Sequence, residues 1–214
     1  MRVPLCLSSY STYRSLTIRS VQVRGMAMVQ TPVKPLTLDE FLERPETKPA
    51  SEYREGQITQ KPMPQGKHSL LQRELAFALT VAFKPNKIAQ AFPELRCTFG
   101  GKSLVPDIAV FVTDRIPRDQ DGQVSNSFLL PPNWTIEILS PGQSQTKVLR
   151  NIFHCLEHGT EMGWLLDPDE SCVFVSDSPQ SVQMFEQPNI VLPLPAFASK
   201  VQLTVAEIFG WLTE

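Results

Sequence analysis

The sequence predicts an α/β protein with a central mixed β-sheet flanked by helices. Short, β-branched apolar runs bounded by turn residues recur along the chain and alternate with helical patterns. A strand–helix–strand order across 133–167 has the form of a parallel crossover. Pairs of runs joined by turns at Glu55-Gly56 and Asp167-Pro-Asp-Glu170 call for antiparallel hairpins.

In chain order, Thr37 to Glu43 predicts a short helix. Thr37 is an N-cap with Glu40 three residues on, a capping box, and Pro45 and Pro49 stop the helix. Ser51 to Gln60 reads as a hairpin, ended by Pro62 and Pro64. Lys67 to Phe83 is the clearest helix, because Leu71, Leu75, Ala78, Leu79 and Ala82 fall on one face. Lys87 to Phe99 predicts one strand, Gly100-Gly101 a turn, and 103–113 a second strand. The 114–132 loop is long for a connection, which marks it as mobile or functional. Strand 133–139 follows, then the loop Ser140 to Ser144. The next helix runs from Gln145 to His158, with Val148, Ile152, Cys155 and Leu156 inward and Gly159 as its C-cap. Glu161 to Asp167 and Ser171 to Ser176 form a hairpin. Ser181 to Phe185 and Val201 to Leu203 are weaker strands, and a helix capped by Thr204 and Glu207 closes the chain.

At 214 residues and 42% hydrophobic, the chain can bury one sizeable core. No stretch approaches the roughly 20 apolar residues of a membrane span. A net charge of −2 gives no global basic signal for nucleic acid, though a local groove would suffice. Cys6, Cys97, Cys155 and Cys172 form no CxxC pair, so free thiols in a reducing cytoplasm are expected. Residues 1–30 are set apart from a domain spanning 31–214. The first 28 hold Arg2, Arg14, Arg19 and Arg24 and no acid. That pattern suits either an organelle transit peptide or a start placed too early, with Met26 or Met28 as the true start. The second reading is preferred because a domain start follows at Thr37. Little order is expected before about Thr31.

Two carboxylates carry the chemistry. Asp107 follows Pro106 in Ser103-Leu-Val-Pro-Asp-Ile-Ala-Val, and Glu137 lies in Trp134-Thr-Ile-Glu-Ile-Leu139. Acids within buried strands are costly unless compensated, and two of them on neighbouring strands imply a cation. A hard, oxygen-seeking divalent ion is the simplest compensation. Lys147, in the first turn of the helix after Glu137, can reach the same zone and orient water or stabilise developing charge. Other readings stand beside these. Asp107 would also serve as a strand-end turn former, Lys147 as a solvated lysine, and His68 as a helix-end structural histidine. His154 and His158 have metal-pair spacing but no third ligand in view, so an exposed helix face is preferred. Trp164 reads as core.

These residues resemble the PD-(D/E)XK nuclease superfamily and, more closely, the Uma family of restriction-endonuclease-like proteins. The matching features are Leu38-Asp-Glu-Phe-Leu, Glu52-Tyr-Arg-Glu-Gly-Gln, His68, Val105-Pro-Asp-Ile-Ala-Val, Glu137-Ile-Leu-Ser-Pro, Lys147 and Gly163-Trp-Leu-Leu-Asp-Pro168. They run in family order from Thr37 to the C-terminus. The resemblance implies a restriction-endonuclease-like fold, Mg²⁺ or Mn²⁺ as cofactor, and endonucleolytic hydrolysis of DNA. It implies Asp107 and Glu137 as metal ligands, with Glu52 as a third carboxylate unless it is an exposed hairpin residue. Asp107, Glu137 and Lys147 would be catalytic; His68, Arg115 and Arg118 would contact substrate. A symmetric homodimer is expected for cutting both strands. The superfamily places a lysine two residues after the second acid, where this chain has Leu139. Two alternatives therefore stay open: an inactive DNA- or protein-binding module of the same fold, and a metal-dependent phosphodiesterase for small substrates.

Overall fold

The computed structural model describes residues 35–213; the expectations for residues 1–30 lie outside them. In chain order the elements are α1 (Leu38–Leu42), β1 (Ser51–Arg54), β2 (Gln57–Gln60), α2 (Gly66–Phe83), β3 (Ala89–Pro93), β4 (Cys97–Phe99) and β5 (Lys102–Leu104). They continue with β6 (Ile108–Val112), β7 (Trp134–Ile138), α3 (Gln145–Glu157), β8 (Met162–Asp167), β9 (Cys172–Ser178), β10 (Ser181–Phe185) and α4 (Val205–Gly210).

Local chemistry sets several boundaries. Thr37 caps α1 and Thr204 caps α4, each closing a reciprocal capping box with Glu40 and Glu207. The β1–β2 turn needs two left-handed residues, supplied by Glu55 (φ 49°) and Gly56 (φ 81°).

The strands make two sheets. A six-stranded sheet has the order β10-β9-β8-β7-β6-β3, and only its β7–β8 pair is parallel. Helix α3 is the crossover of that pair, as the 133–167 order predicted. A smaller sheet, β2-β1-β5-β4, is fully antiparallel.

The structure corrects the sequence reading at three points, two of them through the smaller sheet. The expected strand 87–99 is two strands in different sheets, broken at Glu94, whose φ is 49°. The expected strand 103–113 is likewise cut into β5 and β6. The cut falls at Val105-Pro106-Asp107, where proline has no N–H to give a ladder. Asp107 therefore occupies a crossing between sheets and not the middle of a strand. Residues 201–203 form no strand; Leu203 only accepts from the Leu192 N–H at 2.9 Å.

Alternation along β7 assigns its side chains to two faces. Trp134, Ile136 and Ile138 join Trp164 and Leu166 of β8 in the main core, against Leu71, Leu75, Leu79 and Phe83 of α2 and Ile208 of α4. Trp134 and Trp164 meet edge to face, 4.7 Å apart. Each such side chain contributes roughly 1.5–3 kcal/mol by leaving water. Thr135 and Glu137 point to the other face, which α3 covers with Val148, Ile152 and Leu156.

The 114–132 loop is anchored near its two ends, at Ile116 and Phe128, while 118–124 between them is exposed. Phe128 is buried among Phe92 and Phe111, and its carbonyl accepts from Thr98 N–H at 2.9 Å. No helix among the described residues is long and apolar enough to cross a membrane.

Candidate active site

The β1–β2 hairpin brings two side chains to one place. Lys61 extends the ladder by donating its N–H to the Ala50 carbonyl at 2.9 Å. Glu52 pairs with Thr59, so parity puts Glu52, Arg54, Thr59 and Lys61 on the same face of the small sheet. All four line a cavity of about 310 Å³, with Glu137 opposite. A second cavity, of about 440 Å³, shares Lys61, Pro62 and Gln143 and contains Asp107 and His68. Lys61 thus sits between two connected hollows.

Asp107 is held on all sides. Its Oδ2 accepts the Ile138 N–H at 2.7 Å, and its backbone carbonyl accepts from Gln72 Nε2 at 2.8 Å. His68 Nε2 approaches Oδ1 at 3.4 Å, and His68 Nδ1 lies 3.2 Å from Ser140 Oγ. Since His68 and Gln72 are one turn apart on α2, one helix face fixes both the carboxylate and the backbone of Asp107. The bond to Ile138 N–H bridges Asp107 to the strand that carries Glu137.

The cation implied by these acids is internal. Lys61 Nζ donates to Asp107 Oδ1 at 2.6 Å, Glu137 Oε2 at 3.1 Å and the Val105 carbonyl at 2.8 Å. Burial disfavours the ammonium, but Glu137, Asp107 and Glu52 outweigh it and raise the Lys61 pKa. Burial also works against the Asp107 charge, yet Lys61 and the adjacent His68 ring hold its pKa well below the carboxylate range. Glu137 goes the other way. Its burial is the largest influence, and although Lys61 pulls down, the Asp107 and Glu52 charges add to the rise, to about 8. One ammonium meets two buried carboxylates, and the one with more donors keeps the charge.

Glu52 is buried, not an exposed hairpin residue. Its Oε1 accepts the Val105 N–H at 3.0 Å; its Oε2 accepts from Asn151 Nδ2 and from Arg54, each at 3.2 Å. Asn151 Oδ1 is buried without a partner among the described residues, on the wall of the smaller cavity. An oxygen-lined cradle that already seats a cation, with an orphaned oxygen nearby, fits a hard divalent ion.

The other expected residues are distributed differently. Lys147 is exposed and lines the smaller cavity, and its side chain has no ion-pair or hydrogen-bond partner among the described residues. Arg115 donates to the Pro131 carbonyl and Arg118 to the Gly122 carbonyl. Both follow the C-terminal end of β6, and Asp107 precedes its start, so about 17 Å of strand separates them. The structure does not bring them to the acids. His154 is buried and not on an exposed face, stacked on Phe99 at 5.0 Å between ring centres.

Lys61 was missed. Its only sequence signal is being the sole charge between Gln57 and Gln65, at the exit of a hairpin whose other strand carries Glu52.

Among curated proteins no match was found. A crystal structure described as "a putative nuclease belonging to DUF820", from Anabaena variabilis, is 58% identical, with a TM-score of 0.81 over 83% of this chain and 99% of that one. This match, with the two-sheet mixed architecture, makes the fold restriction-endonuclease-like and supports a nuclease role. The Uma2 family, described as "Putative restriction endonuclease", matches residues 38–206, well over half of the chain, and the chain belongs to that family.

Proposed function

We propose that the protein is a metal-dependent endonuclease that hydrolyses DNA phosphodiester bonds at the Asp107–Glu137–Lys61 cluster. The observation that carries this reading is the cradle itself: two carboxylates and a backbone carbonyl converge on one positive charge, in a cleft open on both sides. Mg²⁺ or Mn²⁺ held by Asp107 and Glu137, with Glu52 and the Val105 carbonyl close by, would polarise the scissile phosphate and lower the pKa of its water.

Each residue has a separate task. His68, Gln72 and the Ile138 N–H keep Asp107 ionised and oriented. Glu137, the more basic carboxylate, would give up its proton when the ion binds and, once ionised, would accept one from the attacking water. Lys61 has a flexible stem and a compact charge. It moves off the carboxylates toward the phosphate and stabilises the charge that develops there. It thereby fills the role of the lysine absent at Leu139. Lys147, at the rim of the smaller cavity, meets a substrate phosphate. The described cysteines are free and buried, which suits a reducing compartment such as the cytoplasm.

The test is plasmid cleavage with Mg²⁺ or Mn²⁺ by the parent protein beside Asp107→Ala and Glu137→Ala proteins of matched fold. Cleavage by the parent alone is expected. Equal cleavage by all three would overturn the assignment. No cleavage, with ions raising the melting temperature of the parent alone, would favour a binding module that has kept the cradle and lost the chemistry.

A further inference from the structure

A second cluster of donor side chains lies on α3, away from the acid cradle. His154, Glu157 and His158 each offer one ligand atom, and these atoms lie within 4.8 Å of one another. The sequence is His-x-x-Glu-His, which places two imidazoles one helical turn apart; zinc enzymes use this spacing. Spacing alone is weak. The hydrogen bonds of the two rings add an independent observation.

His154 Nε2 lies 3.2 Å from the Phe99 carbonyl, and His158 Nδ1 lies 2.8 Å from the His154 carbonyl. A carbonyl only accepts, so each of these nitrogens carries the ring proton. The opposite nitrogens, His154 Nδ1 and His158 Nε2, are therefore lone pairs. Neither has a hydrogen-bond partner among the described residues. A metal-binding histidine shows this arrangement, with one N–H fixed on a carbonyl and the other nitrogen free.

The surroundings hold the rings together. Phe99 stacks on His154 and tilts against His158, and the two imidazoles are 4.3 Å apart between centres. Gly100 makes room: a Cβ there would come within 2.1 Å of His158 Nε2, and its φ of +56° disfavours other residues as well.

We propose that His154, His158 and Glu157 form a binding site for a zinc-type divalent ion, separate from the Asp107–Glu137 cradle. Two imidazoles and one carboxylate suit a borderline ion better than Mg²⁺. Three ligands from a single helical turn leave one coordination position open to water.

The experiment uses the full chain with Glu137→Gln, so that the acid cradle is weakened, and titrates it with Co²⁺ and Zn²⁺. The expected result is one equivalent of Co²⁺ giving the visible absorption of a low-symmetry, nitrogen-ligated site, displaced by Zn²⁺. His158→Ala, at an exposed position, should fold normally and weaken binding by at least about tenfold, the scale on which changes at a metal site act. Glu157→Gln should weaken it less. Equal Co²⁺ spectra from the parent and His158→Ala would overturn the proposal, as would no Co²⁺ absorption in the parent. The readout is spectroscopic, so it stands or falls apart from nuclease activity.

Discussion

At the scale of the residue, the cradle is an electrostatic balance centred on Lys61. Its side chain is 14% exposed and faces two carboxylates that are nearly sealed. Lys61→Met would leave those carboxylates without their cation. Breaking a buried pair in this way costs about 3–5 kcal/mol. Urea unfolding without divalent ions should show that loss, and Lys61→Met with Glu137→Gln should recover part of it. A loss under 1 kcal/mol, the range of an exposed pair, would mean that Lys61 does not hold the charge balance. The same cluster sets a pH dependence. Glu137 has a folded pKa of about 8, above its ordinary value of 4.5. The folded state thus binds a proton that the unfolded state has released across that window. Its stabilisation is complete below 4.5 and is lost as pH rises through about 8. Asp107 has the opposite sign, since its pKa is lowered, and its contribution disappears only in acid. The metal-free protein should therefore lose melting temperature from pH 5 to 8, and Glu137→Gln should flatten that slope. An unchanged slope in the variant would assign the proton elsewhere.

At the scale of the element, α3 is fixed against β8 by a glycine. A Cβ at Gly163 would fall 2.1 Å from Ile152 Cγ2, at the centre of the crossover. Gly163→Ala must push the helix outward, a cost of about 1–3 kcal/mol for overpacking. Ile152 follows Asn151, which donates to Glu52, so the push should also disturb the cradle. Chemical denaturation should show the destabilisation, and Ile152→Ala, which removes Cγ2, should cost less in the Gly163→Ala background than in the parent; equal costs would place the strain elsewhere. Elements of this kind were legible from local signals. The capping boxes at Thr37 and Thr204, the Glu55-Gly56 turn and the α3 face each depend on residues a few positions apart. The division of 87–99 and 103–113 between two sheets was not legible. It depends on a left-handed Glu94 and on strand partners distant in sequence, to which hydrophobic pattern is blind. Asp107 and Glu137 stood out because acids among apolar residues are costly, whereas Glu52, between Ser51 and Tyr53-Arg54, was pointed to only by the family resemblance. Lys61 did not, because a lysine beside a hairpin is ordinary until the crossing at Val105-Pro106-Asp107 folds over it.

At the scale of the whole molecule, the described residues hold one acid cradle, and on the proposed reading that number constrains how a duplex would be cut. The cleft lies where the small sheet faces the C-terminal end of β7, and Arg54, Lys61 and Lys147 line one of its hollows. The net charge of −2 gives no long-range attraction to DNA, so the proposed DNA binding would depend on this local groove. A single cradle breaks one strand per encounter, whereas two related by a two-fold axis can break both. We therefore expect a homodimer, with twice the mass of the chain in sedimentation at working concentration. Plasmid products test the same expectation independently. A dimer should give linear DNA early, with a rate that rises faster than linearly with protein concentration near the dissociation constant. A monomer should build up nicked circles first, at a rate proportional to protein. Mixing the parent with Asp107→Ala protein separates the two cases. In a dimer that exchanges subunits, the inactive partner converts double-strand cuts into nicks, so linear product falls while nicked product rises. If both products fall together in proportion to dilution, the chain acts alone, and double-strand cleavage must arise from two independent encounters.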